Sequence, residues 1–119
     1  ARNNRTNALA GLERAREAIV NRKLSVWMFP EGHRNGGAKE MLPFKKGAFR
    51  LAIAAGVPIV PVVSTPLHKY FNLELDPFVR KEITMKVLDP IPTKNLTSEN
   101  VDQLMKDTRA RMEAALATL

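Results

Sequence analysis

The stretch from Ser25 to Val63 decides the fold, and it reads SVWMFPEGHRNGGAKEMLPFKKGAFRLAIAAGVPIVPVV. The run from Leu24 to Phe29 is nearly continuous in apolar residues and rich in strand formers, which predicts a buried parallel strand. A polar loop with several glycines follows. Residues 47–55 then predict a short buried helix. Residues 57–63 predict a second apolar strand, whose prolines favour an edge or a strand end.

Helices are predicted on both sides of this stretch. Apolar residues recur at helical spacing from Leu9 to Ile19, and again from Val101 to Leu116 behind a capping Thr97 or Ser98. Residues 82–88 alternate in part and predict a third strand. Helices that alternate with apolar strands predict an α/β fold, here an αβα layered domain with a mainly parallel sheet.

Composition narrows the functional classes. The chain of 119 residues contains no cysteine, which excludes a disulfide framework, a zinc–thiolate site and thiol catalysis. Nineteen Lys and Arg against 12 Asp and Glu give a formal net charge of +7, which favours anionic partners such as nucleic acid, acidic lipid headgroups or phosphorylated small molecules. A solvated basic surface is the alternative. No signal peptide and no apolar run long enough to span a bilayer is visible.

Two loops carry the residues that predict chemistry. Ligands of open α/β sheets bind beyond the carboxyl ends of the strands, and Glu31, Gly32 and Arg34 follow the first strand there. Glycine permits close backbone approach, and the planar Arg34 side chain suits two phosphate oxygens. Lys45 and Lys46 precede a helix start, which also favours an anion. We therefore predict that both loops face one phosphate group, with Glu31 in an orienting role.

The combination of motifs resembles a known family. FPEGHRN, LPFKKGAF and VPIVPVV, in this order and spacing, resemble the later sequence blocks of the 1-acylglycerol-3-phosphate acyltransferases, also called lysophosphatidate acyltransferases. ARNNRTNA, at the start, resembles the end of the second block. The resemblance implies transfer of a fatty acyl group from acyl-CoA or acyl carrier protein to the 2-hydroxyl of lysophosphatidate. It also implies association with an anionic membrane surface, on the cytoplasmic face.

The resemblance implies roles for individual residues of this chain. Arg2 and Arg34 match the arginines of the second and third blocks, which are associated with the substrate phosphate. Glu31 and Gly32 match the third-block pair that activity needs. The resemblance thus makes Glu31 a supporting residue of catalysis and adds Arg2 to the predicted phosphate site.

Two prolines and one histidine can each be interpreted in more than one way. Pro58 and Pro61 match the fourth block, which shapes the pocket, but both are also explained by strand termination. His33 stands where relatives often carry threonine. A role as a base is disfavoured, since the adjacent Arg34 opposes its protonated form and the spacing supplies no acid partner.

The first block of that family, His-x-x-x-x-Asp, supplies the general base and is missing. His33 is followed five residues later by Ala38, and His68 by Leu73. We therefore expect residues 1–119 to be the C-terminal portion of a single acyltransferase domain, incomplete at its N-terminus and inactive alone. No metal site is predicted, and no cofactor beyond the acyl donor is expected.

Three alternatives stay open. Glycerol-3-phosphate acyltransferases and other lysophospholipid acyltransferases share similar blocks. A basic module that binds anionic membrane or nucleic acid without chemistry is a third possibility. Nucleic acid is not expected as a partner, because the chain shows no recognised RNA- or DNA-binding motif.

Overall fold

The computed structural model of the protein describes residues 4–32, 41–65 and 82–119. Within these residues the chain forms three α-helices and one two-stranded sheet. The helices are α1 (Asn4–Arg22), α2 (Gly47–Ala55) and α3 (Val101–Leu116), and the strands are β1 (Val62–Ser64) and β2 (Met85–Val87). One 3₁₀ turn, Ser98–Asn100, lies directly before α3.

The predicted first helix is confirmed as α1, which packs against α2. Leu12 lies over Gly47, where an added Cβ would be an ordinary 3.7 Å from the Leu12 Cδ1. Lys23 ends the helix with a left-handed φ of 56°, and the Leu24 N–H then donates to the Ala18 carbonyl at 3.2 Å. The left-handed conformation of Lys23 therefore ends α1 directly after Arg22.

The prediction of a buried strand at Leu24–Phe29 is wrong for the chain as described. The segment lies outside the sheet, and its apolar side chains are exposed, Trp27 at 64% and Phe29 at 74%. A strand needs a neighbour that pairs with its backbone N–H and C=O groups, and none of the described residues pairs with this segment in a sheet. The apolar residue types of Leu24–Phe29 predict a buried strand, but such a strand is buried only where a partner strand pairs with it.

The two later strands are confirmed only in part: residues 57–63 contribute a bridge at Ile59 and the start of β1, residues 82–88 contribute β2, and the pairing is not parallel. β1 and β2 pair antiparallel, with Val63 opposite Lys86, and an antiparallel bridge between Ile59 and Ile91 continues the pairing. Prolines interrupt the ladder, because they lack the N–H that a neighbouring strand would accept. The mainly parallel sheet is therefore not what the described residues form, since a short apolar run does not encode the direction of its neighbour.

The core forms where α2, α3 and the sheet meet. Its buried side chains form two clusters: Phe49, Ile91, Val101 and Leu104 in the first, and Val63, Met112 and Ala115 in the second. Phe44 packs against both clusters, which ties the segment before α2 to the core. The apolar stripe predicted for the last helix is confirmed, because its members supply most of the buried face of α3.

Side-chain hydrogen bonds fix the ends of these elements. Thr97 is a cap, but of the 3₁₀ turn that precedes α3: its Oγ1 accepts from the Glu99 N–H at 3.3 Å, and its N–H donates to the Asn100 Oδ1 at 2.8 Å. The buried Thr93 hydroxyl lies 2.7 Å from the carbonyl oxygen of Val57, beyond the end of α2. None of the helices that the structure describes is long and apolar enough to cross a membrane.

Candidate functional site

The candidate site is built from a tight turn, Phe29–Gly32, and the segment Met41–Lys45. The Gly32 N–H donates to the Phe29 carbonyl at 3.1 Å, which closes the turn. The Lys45 N–H donates to the Pro30 carbonyl at 2.7 Å, so that the segment before α2 lies against the turn. The two motifs that the sequence analysis singled out, FPEG and LPFKKG, are therefore in direct contact.

Glu31 joins the same two segments through its side chain. Its Oε2 accepts a hydrogen bond of 2.7 Å from the Leu42 N–H, and the carboxylate is partly buried. A carboxylate that accepts from a backbone N–H makes a charge-assisted bond, stronger than one between neutral groups. Its position agrees with the orienting role predicted for Glu31.

Gly32 is favoured by its backbone conformation, and its lack of a side chain leaves room for Lys45. Its φ is +78°, in the left-handed region that side chains with a Cβ disfavour. A Cβ added there would stand 2.6 Å from Cδ and 2.8 Å from Cε of Lys45. The sequence predicts that Gly32 lets a ligand approach the backbone closely, and in the structure the group that approaches is the aliphatic stem of Lys45.

Lys45 and Lys46 have different surroundings. The Lys45 side chain lies over Gly32, at the turn. The Lys46 Nζ instead lies 3.2 Å from Oδ1 of Asp102, in the first turn of α3. α2 begins directly behind the two lysines and has no acidic residue in its first turn, which leaves its positive end uncompensated by an acid there. Of these two lysines, both predicted to bind phosphate, only Lys45 lies next to the turn.

Arg109 of α3 is a residue that the sequence analysis missed. Its Nη1 and Nη2 donate to the carbonyls of Leu42 and Met41, at 2.7 and 2.8 Å. Its Nε donates to Glu113 at 2.8 Å, and its guanidinium lies over the Phe44 ring, 5.1 Å from the centroid. The available signal was an arginine beside the apolar stripe of α3, with a glutamate four residues later.

The two prolines assigned to a pocket lie at the sheet. Pro58 is exposed, whereas Pro61 is buried, and its carbonyl accepts from the Leu88 N–H at 2.9 Å. A shallow cavity of ≈ 370 Å³ has other lining residues, namely Arg50, Ile53, Ala54, Ser98 and Val101. Strand termination accounts for the place of Pro61, and the pocket role of both prolines stays a prediction.

Arg2, His33, Arg34 and His68 lie outside the described residues. Their predicted roles, phosphate binding by Arg2 and Arg34 above all, therefore stay predictions. In the parts of the chain that the structure does describe, no group of three or more His, Asp or Glu could hold a metal ion.

The resolved pKa shifts lie on α1, outside the candidate site. Arg16 hydrogen-bonds to Glu13, with Nε 3.0 Å from Oε2, and this bond lowers the pKa of the Glu13 carboxyl. The same bond raises the pKa of Arg16. The pair is exposed on a helix surface, and solvent screening makes its contribution to stability small.

Comparisons with known proteins agree on one family. The model of the family described as Acyltransferase matches residues 1–65. A 1-acyl-sn-glycerol-3-phosphate acyltransferase of Haemophilus influenzae is 41% identical over 118 residues, which are 99% of this chain and 48% of the relative. The protein of the same name in Escherichia coli is 40% identical over 119 residues, 99% of this chain and 47% of the relative.

A eukaryotic relative matches over the same range. An uncharacterized acyltransferase of Schizosaccharomyces pombe is 37% identical over 119 residues, 99% of this chain and 43% of the relative. The chain thus spans about half the length of the curated relatives it matches. No solved structure matches it significantly.

Proposed function

This chain belongs to the acyltransferase family, and from that membership we propose that the protein containing it makes phosphatidate. The proposed reaction transfers a fatty acyl group from acyl-CoA or acyl carrier protein to the 2-hydroxyl of lysophosphatidate. The observation that carries the proposal is 41% identity, across 99% of this chain, to a bacterial protein named 1-acyl-sn-glycerol-3-phosphate acyltransferase. The acyl group arrives as an activated thioester, so the proposed chemistry includes no metal or redox cofactor.

Recognition of the acceptor phosphate is the part of this reaction that we assign to the candidate site. Lys45 supplies a positive charge at the turn. Arg34 follows the turn in sequence and offers two parallel N–H groups, and Arg2 adds a third cation. Glu31 would repel a phosphate, and its bond to Leu42 supports an orienting role instead. We propose that lysophosphatidate binds with its phosphate on these cations.

Attack by the acceptor hydroxyl requires a base. The base takes the hydroxyl proton as the oxygen attacks the thioester carbonyl; the C–S bond then breaks, and the sulfur of the donor leaves as a thiol with the proton that the base returns. His33 and His68 lack the aspartate five residues later that the family's first block supplies. We propose that this His-x-x-x-x-Asp block lies in the protein outside residues 1–119, which form the C-terminal portion of one acyltransferase domain.

The exposed run Leu24–Phe29 supports the same view of the domain. Its apolar composition suits a strand buried on both faces, and its side chains are exposed in the described part of the chain. We propose that a strand from outside residues 1–119 pairs with this run and completes the mainly parallel sheet of an αβα domain. The candidate turn would then stand at the carboxyl end of a sheet strand.

The acceptor and the net charge support a membrane location. Lysophosphatidate is a lipid, and the chain carries a formal charge of +7. Basic side chains near an anionic bilayer each contribute about 1 kcal/mol of binding. We propose that the protein acts at the cytoplasmic face of a membrane and that its basic surface meets acidic headgroups.

An acceptor comparison in the complete protein tests the function. The purified protein is assayed with labelled acyl-CoA and, separately, with acyl carrier protein that carries the same labelled acyl group as a thioester. Each donor is offered lysophosphatidate, glycerol 3-phosphate and lysophosphatidylcholine. We expect phosphatidate from lysophosphatidate at the highest kcat/KM. Preference for glycerol 3-phosphate, or for the choline lipid, would instead support one of the two related acyltransferase activities.

A further inference from the structure

Arg109 links the C-terminal helix to the candidate site across a large separation in sequence. Its guanidinium donates to two consecutive carbonyls, those of Met41 and Leu42, at 2.8 and 2.7 Å. Glu113 holds its Nε from the next turn of α3, at 2.8 Å. Phe44 lies against the guanidinium face. Three hydrogen bonds and one ring contact thus give this side chain a defined orientation.

The contact with Met41 reaches Glu31 through a single peptide group. The Met41 carbonyl and the Leu42 N–H belong to the same amide, whose oxygen accepts from Arg109 and whose N–H donates to the Glu31 carboxylate. A cation on the oxygen polarises the amide and makes its N–H a stronger donor. The amide is therefore held at both ends by charge-assisted bonds.

The same segment carries Lys45 to the turn. Lys45 follows Leu42 by only three positions; its N–H donates to the Pro30 carbonyl, and its stem lies over Gly32. A segment fixed at Met41 and Leu42 by Arg109 thus fixes both the carboxylate of Glu31 and the approach of Lys45. Without Arg109, two carbonyls lose a charged donor, and the segment keeps only the apolar contacts that Met41 and Phe44 make with α3.

We propose that Arg109 is a positioning residue for acceptor binding, which acts through the Met41–Leu42 amide on Glu31 and Lys45. The proposal rests on the proposed function for its substrate, lysophosphatidate. Nothing in it requires Arg109 to touch the substrate. Its effect should therefore be on binding of the acceptor and not on that of the acyl donor.

The test compares Arg109→Ala, Arg109→Lys and Arg111→Ala in the complete protein. Arg111 is an exposed residue of the same helix and serves as the matched control. For Arg109→Ala we expect the KM for lysophosphatidate to rise about 10-fold, within the range for losing charged hydrogen bonds, with the KM for the donor unchanged. Arg109→Lys should restore part of the affinity, because lysine keeps the charge and loses the fork. Arg111→Ala should behave as wild type.

Two further readouts separate positioning from a loss of folding. Hydrogen exchange at the Leu42 amide should be faster in both Arg109 variants and unchanged in Arg111→Ala. In a double-mutant cycle, Arg109→Ala should have a smaller effect on the acceptor KM when Glu31→Gln is already present. An unchanged acceptor KM, unchanged exchange at Leu42, or strictly additive effects would each overturn the proposal. Failure of the wild-type protein to acylate lysophosphatidate would instead overturn the proposed function. Hydrogen exchange at the Leu42 amide would still test whether Arg109 holds the Met41–Leu42 amide.

Discussion

At the scale of single residues, Lys45 and Lys46 show how neighbours in sequence can have different surroundings. Lys45 lies over Gly32, whereas Lys46 pairs with Asp102. We expect Lys45→Ala to raise the KM for lysophosphatidate, because losing a charged bond to phosphate costs about 1.5–3 kcal/mol. Lys46→Ala should leave that KM near the wild-type value and lower stability by no more than about 1 kcal/mol, as is typical of an exposed ion pair.

Steady-state kinetics and thermal denaturation of the two lysine variants check this expectation. Asp102→Asn provides the matched control, since it removes the partner of Lys46 and leaves both lysines in place. A larger rise in KM for Lys46→Ala than for Lys45→Ala would contradict the assignment. It would mean that Lys46 leaves Asp102 to bind the acceptor.

Gly32 and Gly56 form a second pair for comparison. Both have a positive φ, +78° and +67°, but a Cβ would meet Lys45 at Gly32 and nothing within 4 Å at Gly56. Alanine at either position should cost about 1–2 kcal/mol of stability from the left-handed backbone. Only Gly32→Ala should also raise the acceptor KM, because its Cβ displaces Lys45. The hypothesis fails if both variants, compared by thermal denaturation and kinetics, change the acceptor KM equally.

At the scale of elements, the run Leu24–Phe29 should respond in opposite ways in two contexts. Exposed apolar residues that lie outside a sheet promote association, so Trp27→Lys should make the 119-residue chain less prone to associate. In the complete protein the same change should destabilise the fold by about 3 kcal/mol or more, because there we propose that the strand is buried.

Sedimentation velocity of the chain and denaturant unfolding of the complete protein measure the two effects of Trp27→Lys. Leu9→Lys is the control, because Leu9 is also exposed but lies on α1. It should change neither measurement substantially. If Trp27→Lys left the stability of the complete protein unaltered, the proposal that Leu24–Phe29 is a buried strand would have to be abandoned.

At the scale of the whole molecule, the 119-residue chain should bind phosphate without catalysing acyl transfer. General-base assistance is typically worth about 10²–10⁴-fold, and the chain lacks the His-x-x-x-x-Asp block that would provide it. The turn and the segment behind it are joined within the chain, so part of the phosphate site should persist. Titration with glycerol 3-phosphate, followed by NMR, should shift the amides of Gly32 and Lys45.

An acylation assay of the same chain provides the second half of this test. Turnover with acyl-CoA and lysophosphatidate would show that another group serves as the base. Loss of that turnover in His33→Ala would identify His33 as this base and reverse the role assigned to it from the sequence. Absence of any amide shift with glycerol 3-phosphate would argue against a phosphate site in this part of the protein.

Local patterns in the sequence were sufficient for the helices and for the residues of the turn. Helical hydrogen bonds join residues four apart, so the apolar spacing of α1 and α3, the stop at Gly56 and the cap at Thr97 are all encoded within a few residues. The same holds for Glu31 and Gly32, because the short motif FPEG is enough to recognise them in the sequence.

Tertiary structure alone decided which strands have partners and which side chains reach the site. The exposure of Leu24–Phe29 and the antiparallel pairing of β1 with β2 depend on which distant segments meet, and residue type in one strand does not specify its neighbour. Arg109 contacts Met41 across 68 positions, a link that no local pattern contains. The different partners of Lys45 and Lys46 follow for the same reason: side-chain direction at the start of α2 is set by packing against the turn and α3.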